Sequence, residues 1–158
     1  TDFDTYVGSI PTHDYRVTHN AWLSSIGSPT GDITFDLGAD RQIQKLAMWT
    51  SISYSINEFD VLTALSADFS DAAYVGTFYA ADDPDTSLDV QIFDLTDSFG
   101  RYVKFNIKSS FGLEYTTVSE VAFDVTGVTV IPEPSTYLLL GTMVLAVAVS
   151  KRKKLVKR

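Results

Sequence analysis

Arg101-Tyr102-Val103-Lys104-Phe105-Asn106-Ile107-Lys108-Ser109 alternates without a break. Val103, Phe105 and Ile107 fall on one side of an extended chain, and Tyr102, Lys104 and Asn106 on the other. Successive side chains of a strand point to opposite faces, so one face belongs to a core and the other to water. The same pattern recurs outward from it. Ile33, Phe35 and Leu37 alternate with Thr34 and Asp36 up to Gly38. Ala39-Asp40-Arg41 reads as a turn, and Gln44 to Ser51 as the next strand. Ser51 to Glu58 is polar and irregular. Phe59 to Leu65, with Phe59, Val61 and Thr63 on one face, is a third strand, and Ala73 to Ala80 a fourth. Val90 to Leu95 precedes the opening stretch, and Val118 to Val128 closes the series. Thr1 to Ser28 has little periodicity, with Trp22 as its one large anchor. About seven short strands with no amphipathic helix between them predict an all-β fold, an antiparallel β-sandwich or jelly roll.

Charge divides the chain. The whole has net charge −8 over 158 residues. From Ile131 onward there are six basic residues and one acid, Glu133. Residues 1–130 therefore hold Arg16, Arg41, Lys45, Arg101, Lys104 and Lys108 against nineteen acids, a net −13. Such a body is a poor partner for nucleic acid, and suits divalent cations and neutral or cationic polymers. Residues 1–128 suffice for one domain with a sizeable core. There is no cysteine, so disulfides and thiolate metal sites are excluded. The first residue is Thr1 and not Met. The expectation is a fragment, or a chain without its signal peptide, whose domain begins further upstream.

Three pieces follow residue 128. Residues 129–136 form a linker in which Pro132 and Pro134 fix φ and disfavour helix before them. Residues 137–150 are uncharged and rich in Leu, Ala and Met, a predicted transmembrane helix. The apolar core from Tyr137 to Val149 is shorter than the ~20 residues that span a bilayer comfortably, and suits a thin one. Residues 151–158 are basic and would stay in the cytoplasm, leaving the domain outside. The plainer reading, a core helix with a solvated tail, would require a polar face that this run lacks. Pro132-Glu133-Pro134, an apolar helix and a terminal Lys/Arg cluster, in that order, resemble the PEP-CTERM sorting signal of Gram-negative, exopolysaccharide-producing bacteria. The resemblance implies recognition by an exosortase and removal of the tail. The protein would be anchored in the inner membrane first, then placed at the cell surface or in the extracellular biofilm matrix.

A second resemblance covers most of the body. Trp22-Leu23-Ser24, Ile33-Thr34-Phe35-Asp36-Leu37-Gly38, the strand to Trp49, Phe59-Asp60-Val61 with Ser66-Ala67-Asp68, Arg101-Tyr102-Val103-Lys104 and Ser119-Glu120-Val121 fall in the order of the discoidin, or coagulation-factor C-type, domain. That family has the galactose-binding-like jelly roll and includes many carbohydrate-binding modules. It implies a glycan site on loops at one barrel end. Those loops would be the N-terminal segment with Tyr15, Arg16 and His19, then residues 53–57, and residues 110–115. Tyr54, Phe111 and Tyr115 would be the aromatics of the site, with Arg16 and Asn57 as polar partners. The bland counterpart is that these rings merely cap the barrel. The family also implies a structural calcium ion with Glu120 as ligand, opposite the segment around Asn20 and Trp22. A half-exposed strand glutamate is the equal alternative. Asp82-Asp83-Pro84-Asp85 reads as a solvated acidic turn. Trp22 and Trp49 are expected in the core.

Catalysis finds no support. His13 and His19 are the only histidines, and there is no Gly-x-Ser-x-Gly elbow, His-Glu-x-x-His or phosphate-cradling loop. The chain reads as an exported, non-catalytic binding module for carbohydrate or exopolysaccharide. Its alternatives are a structural matrix protein without a ligand site, and the accessory domain of an enzyme lying upstream.

Overall fold

The computed structural model describes residues 2–9, 21–50, 54–82, 90–112 and 114–127, with only the backbone at 96 and 97. All lie within the unit Thr1–Val128. The linker, apolar run and basic tail at 129–158 fall outside the described residues. In chain order the elements are α1 (Phe3–Gly8), β1 (Trp22–Leu23), β2 (Gly31–Trp49), β3 (Ile56–Ala64), β4 (Ala73–Tyr79), β5 (Gln91–Ser110), β6 (Thr117–Val118) and β7 (Glu120–Gly127).

The opening alternation belongs to β5, which is 20 residues long. Five strands pair antiparallel in the order β4-β3-β5-β2-β7, and β1 pairs with β6 in a separate ribbon. The two central strands serve two halves. The later part of β5, Tyr102 to Ser110, pairs with β3, and as far as Ile107 also with the start of β2. The earlier part, Gln91 to Gly100, pairs with the end of β2, which in turn carries β7. Between the halves the register of β2 slips from Asp36 to Arg41. Gly38 takes a positive φ of 78°, a conformation that favours glycine, and its N–H donates to Asp36 Oδ1 at 2.8 Å. Here the expected turn at Ala39-Asp40-Arg41 is corrected: it is an irregularity inside one strand, because β5 continues alongside on both sides of it. Val90 to Leu95 and Arg101 to Ser109 are likewise one strand and not two.

The sheet folds its inner faces together, and aromatic rings fill the space. Phe35 meets Phe123 at 5.3 Å, Phe59 meets Phe93 at 5.5 Å and Phe78 meets Phe93 at 5.8 Å, each close to edge-on. Phe59 and Phe105 are fully buried beside Ile43, Leu46, Met48, Val61 and Val103. Burying each such ring contributes roughly 1.5–3 kcal/mol. Gly100 sits where the strand crosses the end of β3. A Cβ there would lie 2.9 Å from the Ala64 carbonyl oxygen, so no larger residue fits without backbone movement.

The N-terminal segment is not wholly irregular. Asp2 caps α1, accepting from the Thr5 N–H at 2.9 Å and the Thr5 hydroxyl at 2.8 Å. Side-chain contacts dock the helix on the outer side of β2 and β7, among them a bond from the Tyr6 hydroxyl to Glu120. Lys45 Nζ pairs with Asp4 at 3.5 Å and lies 5.9 Å from the Phe3 ring, and Tyr6 meets Trp49 edge-on at 6.0 Å. Ala47 and Ala122 are register partners there, and their small side chains admit the helix.

Candidate functional site

Three connections converge at one end of the sandwich. They are residues 24–30 after β1, 50–55 after β2 and 111–116 after β5, of which 51–53 and 113 lie outside the described residues. Backbone bonds knit them together. Gly27 N–H donates to the Glu114 carbonyl at 2.6 Å, Phe111 N–H to Ser55 at 3.0 Å and Thr117 N–H to Tyr54 at 2.8 Å. Ser24 Oγ accepts from the Thr116 N–H at 2.9 Å and donates to the Ser28 carbonyl at 2.6 Å. Loop backbone so fully bonded holds its side chains in fixed positions.

On this frame Tyr54 and Tyr115 stack, centroids 4.2 Å apart and planes 17° from parallel. Both rings are half-buried. Gly112 makes the stack possible, because a Cβ there would meet Tyr54 Cδ1 at 2.5 Å and the Tyr115 carbonyl at 2.9 Å. Desolvation raises the Tyr115 phenol above its ordinary value, with smaller contributions from its bond to Tyr54 and from the nearby Glu114 charge. Phe111 stands beside them, exposed. Asn57 Nδ2 donates to Ser109 Oγ at 3.1 Å where β3 and β5 begin and end together. Tyr54, Asn57, Phe111 and Tyr115 thus gather at one end. Arg16, like the rest of 10–20, lies outside the described residues. The residue missed by sequence reasoning is Ile26, 81% exposed at the tip of the first connection. Its exposure was signalled only by its turn neighbours Ser25 and Gly27.

The other candidates sit elsewhere. Glu120 opens β7 opposite Trp49, and its carboxylate accepts a hydrogen bond from the Tyr6 hydroxyl. That bond, more than burial, raises the Tyr6 phenol. Its suggested co-ligand Asn20 lies outside the described residues. Among those described, no three acidic or histidine side chains gather in one place. Trp49 is buried, as expected, and Trp22 packs half-buried against the core around Ile33 and Val118. Asp82 is exposed, while 83–85 lie outside the described residues, as do His13, His19, Pro132, Glu133 and Pro134. Among the described residues, no helix is long and apolar enough to cross a membrane.

A cleft of about 340 Å³ also opens between α1 and β7, lined by Asp2, Phe3, Tyr6 and residues 122–125. It is remote from the loop end, and its Asp2 carboxylate is committed to capping the helix.

The chain matches no protein-family model and no curated protein sequence. Solved structures do resemble it. A family 32 carbohydrate-binding module of a Clostridium perfringens family 31 glycoside hydrolase superposes with TM-score 0.55 at 15% identity, covering 67% of this chain and 75% of that one. The family 32 module of Clostridium perfringens NanJ, solved with galactose, gives 0.53 at 13% identity, covering 65% and 74%. A further Clostridium perfringens module of that family, solved with GalNAc-β-1,3-galactose, gives 0.52 at 14%, covering 68% and 75%. The fold is the galactose-binding-like β-sandwich.

Proposed function

We propose that the chain is an exported, non-catalytic carbohydrate-binding module that holds its ligand at the loop end. The observation that carries this reading is the Tyr54–Tyr115 stack, locked by Gly112 and flanked by the exposed Phe111. A rigid aromatic surface gives a pyranose ring an apolar partner, and Asn57 supplies the planar amide that such recognition uses. The neighbours solved with galactose and GalNAc-β-1,3-galactose lend the ligand class support. The PEP-CTERM-like tail adds that an exosortase sorts and trims the protein, delivering it to an exopolysaccharide matrix. The accessory-domain reading retains one support, since one neighbour is a module of a glycoside hydrolase.

Calorimetric titration of the chain with galactose, with GalNAc-β-1,3-galactose and with the producing cell's exopolysaccharide tests the binding. We expect saturable heat that falls about tenfold in affinity for Tyr115→Ala. No heat with any of the three, or an unchanged affinity in the variant, removes the reading. Repeating the titration with a chelator tests the Glu120 and Asn20 calcium assignment, which predicts a lower melting temperature without the ion. Replacing Pro132, Glu133 and Pro134 by alanine tests sorting: intact export and tail removal would overturn that part.

A further inference from the structure

The outer face of the β4-β3-β5-β2 half is built of residues that core packing does not require. Register sets Thr77, Asp60, Asn106 and Asp32 side by side across four strands, and Tyr74, Leu62, Lys104 and Thr34 in the next row. Tyr79 lies opposite Glu58 on the same face. Tyr74 and Tyr79 are 62% and 66% exposed.

Tyr74 is exposed yet fixed. Its hydroxyl bonds Thr77 Oγ1 at 2.7 Å, Thr77 donates to Asp60 Oδ1 at 2.6 Å, and Lys108 Nζ holds Asp60 Oδ2 at 3.0 Å. A ring anchored at Cβ and again at its hydroxyl, both on one face of one strand, lies along that face. Its exposure is then exposure of the ring surface. The partners of Tyr74 and Tyr79 on β3, Leu62 and Glu58, are four residues apart, or ~13 Å of strand. That length suits a short run of sugar rings better than a single one.

Three carboxylates of the face, Asp32, Asp36 and Asp60, each meet a base, while Glu58 adds a further acid. Lys104 and the Asn106 amide both face Asp32, at 3.9 and 2.6 Å, and Arg101 holds Asp36 through two bonds of 2.8 and 2.9 Å. Lys104 also sits 4.1 Å from the ring of Phe69, whose φ of 57° is a costly backbone conformation for a bulky residue. In a body of net −13, half of the basic residues stand here, each opposite a carboxylate. With most of its own charge paired, such a surface favours a neutral polymer over a polyanion, which the net −13 of the body repels.

We infer that this face is a second carbohydrate contact, in which Tyr74 and Tyr79 seat an extended stretch of a neutral linear polysaccharide, separate from the loop end. One module then holds two glycan segments and joins them. Affinity electrophoresis of the full chain in mild detergent, through gels cast with hydroxyethylcellulose or glucomannan, tests it. The unaltered chain should be retarded in at least one gel, and Tyr74→Ala with Tyr79→Ala should weaken retention about tenfold. Tyr74→Phe and Thr77→Val, which untie the ring without removing it, should each give a smaller loss. In Tyr115→Ala the polysaccharide retention should persist while calorimetric affinity for galactose falls about tenfold, so the two sites fail separately. Equal retention of the double variant and the unaltered chain overturns the inference, as does no retention in either gel. Sedimentation decides the rival occupant: if the double variant turns a self-associated chain into a monomer without changing retention, a second copy covers the face and the inference fails.

Discussion

Two groups of aromatic side chains in this molecule differ by type. Phe35, Phe59, Phe78, Phe93, Phe105 and Phe123 fill the space between the folded halves of the sheet, with neighbouring centroids 4.9 to 6.3 Å apart. Tyr54, Tyr115, Tyr74 and Tyr79 stand at the periphery, stacked on a partner, pinned by a hydroxyl or simply exposed. A phenyl ring carries nothing that needs water, so it packs wherever shape allows. A phenol keeps an oxygen that must be bonded, and at the surface that oxygen becomes a tether. One atom per ring separates these six core rings from these four tyrosines; Phe111, exposed at the loop end without a hydroxyl, has no such tether.

That contrast breaks most readily at its buried side. Phe105→Ala removes a fully buried ring that touches Phe35, Phe59 and Phe123, and should cost about 3–5 kcal/mol in urea unfolding. A loss under 1 kcal/mol would mean the rings merely line a gap that collapses. Gly112→Ala should cost less, about 1–3 kcal/mol, because only the loop end must shift to admit a methyl group against Tyr54. Its sharper reading is functional: small-sugar binding should fall with Tyr54 displaced, while the phenylalanine core leaves near-ultraviolet spectra otherwise unchanged. The smallest effect concerns the bend. Arg101, then the Gly38 amide, hold the Asp36 carboxyl at about 2 against an ordinary 3.8. Its contribution is therefore complete above 3.8 and fades as pH falls toward about 2. The melting temperature should drop through that interval, and Asp36→Asn should flatten part of the slope. Asp2, Asp60 and Asp68, also lowered by hydrogen bonds, carry the rest. An identical slope in the variant would show that the exposed pair carries none of it.

Local chemistry wrote the faces of the strands plainly. Val103, Phe105 and Ile107 alternate because one side meets the core, and Phe59, Val61 and Thr63 do the same. Strand continuity was not legible. Gly38-Ala39-Asp40-Arg41 looks like a turn because locally it is one, with Asp36 closing on the Gly38 amide. Only the partner strand, far away in sequence, makes it an interruption within a single strand. Helix α1 escaped because six residues containing Phe, Tyr and Val give no helical pattern, and its docking depends on Trp49 and Lys45 elsewhere. For the loop end, the identity of the rings could be read, since Tyr54 and Tyr115 fall in loops that the resemblance singles out. Their stacking could not, because it follows from how Gly112 and Ser24 tie separate connections together.

The two long strands also govern how the molecule comes into being. Pairing β2 with β5 closes the chain between Met48 and Gln91 at its shortest and between Gly31 and Ile107 at its longest. Closure over such separations is slow, and most of the native contacts wait for it. Because both halves borrow their central strands from this one pair, neither has a stable form to adopt beforehand. The domain is expected to assemble and come apart as one unit, so limited proteolysis of the sandwich should accumulate no fragment in which one layer persists without the other.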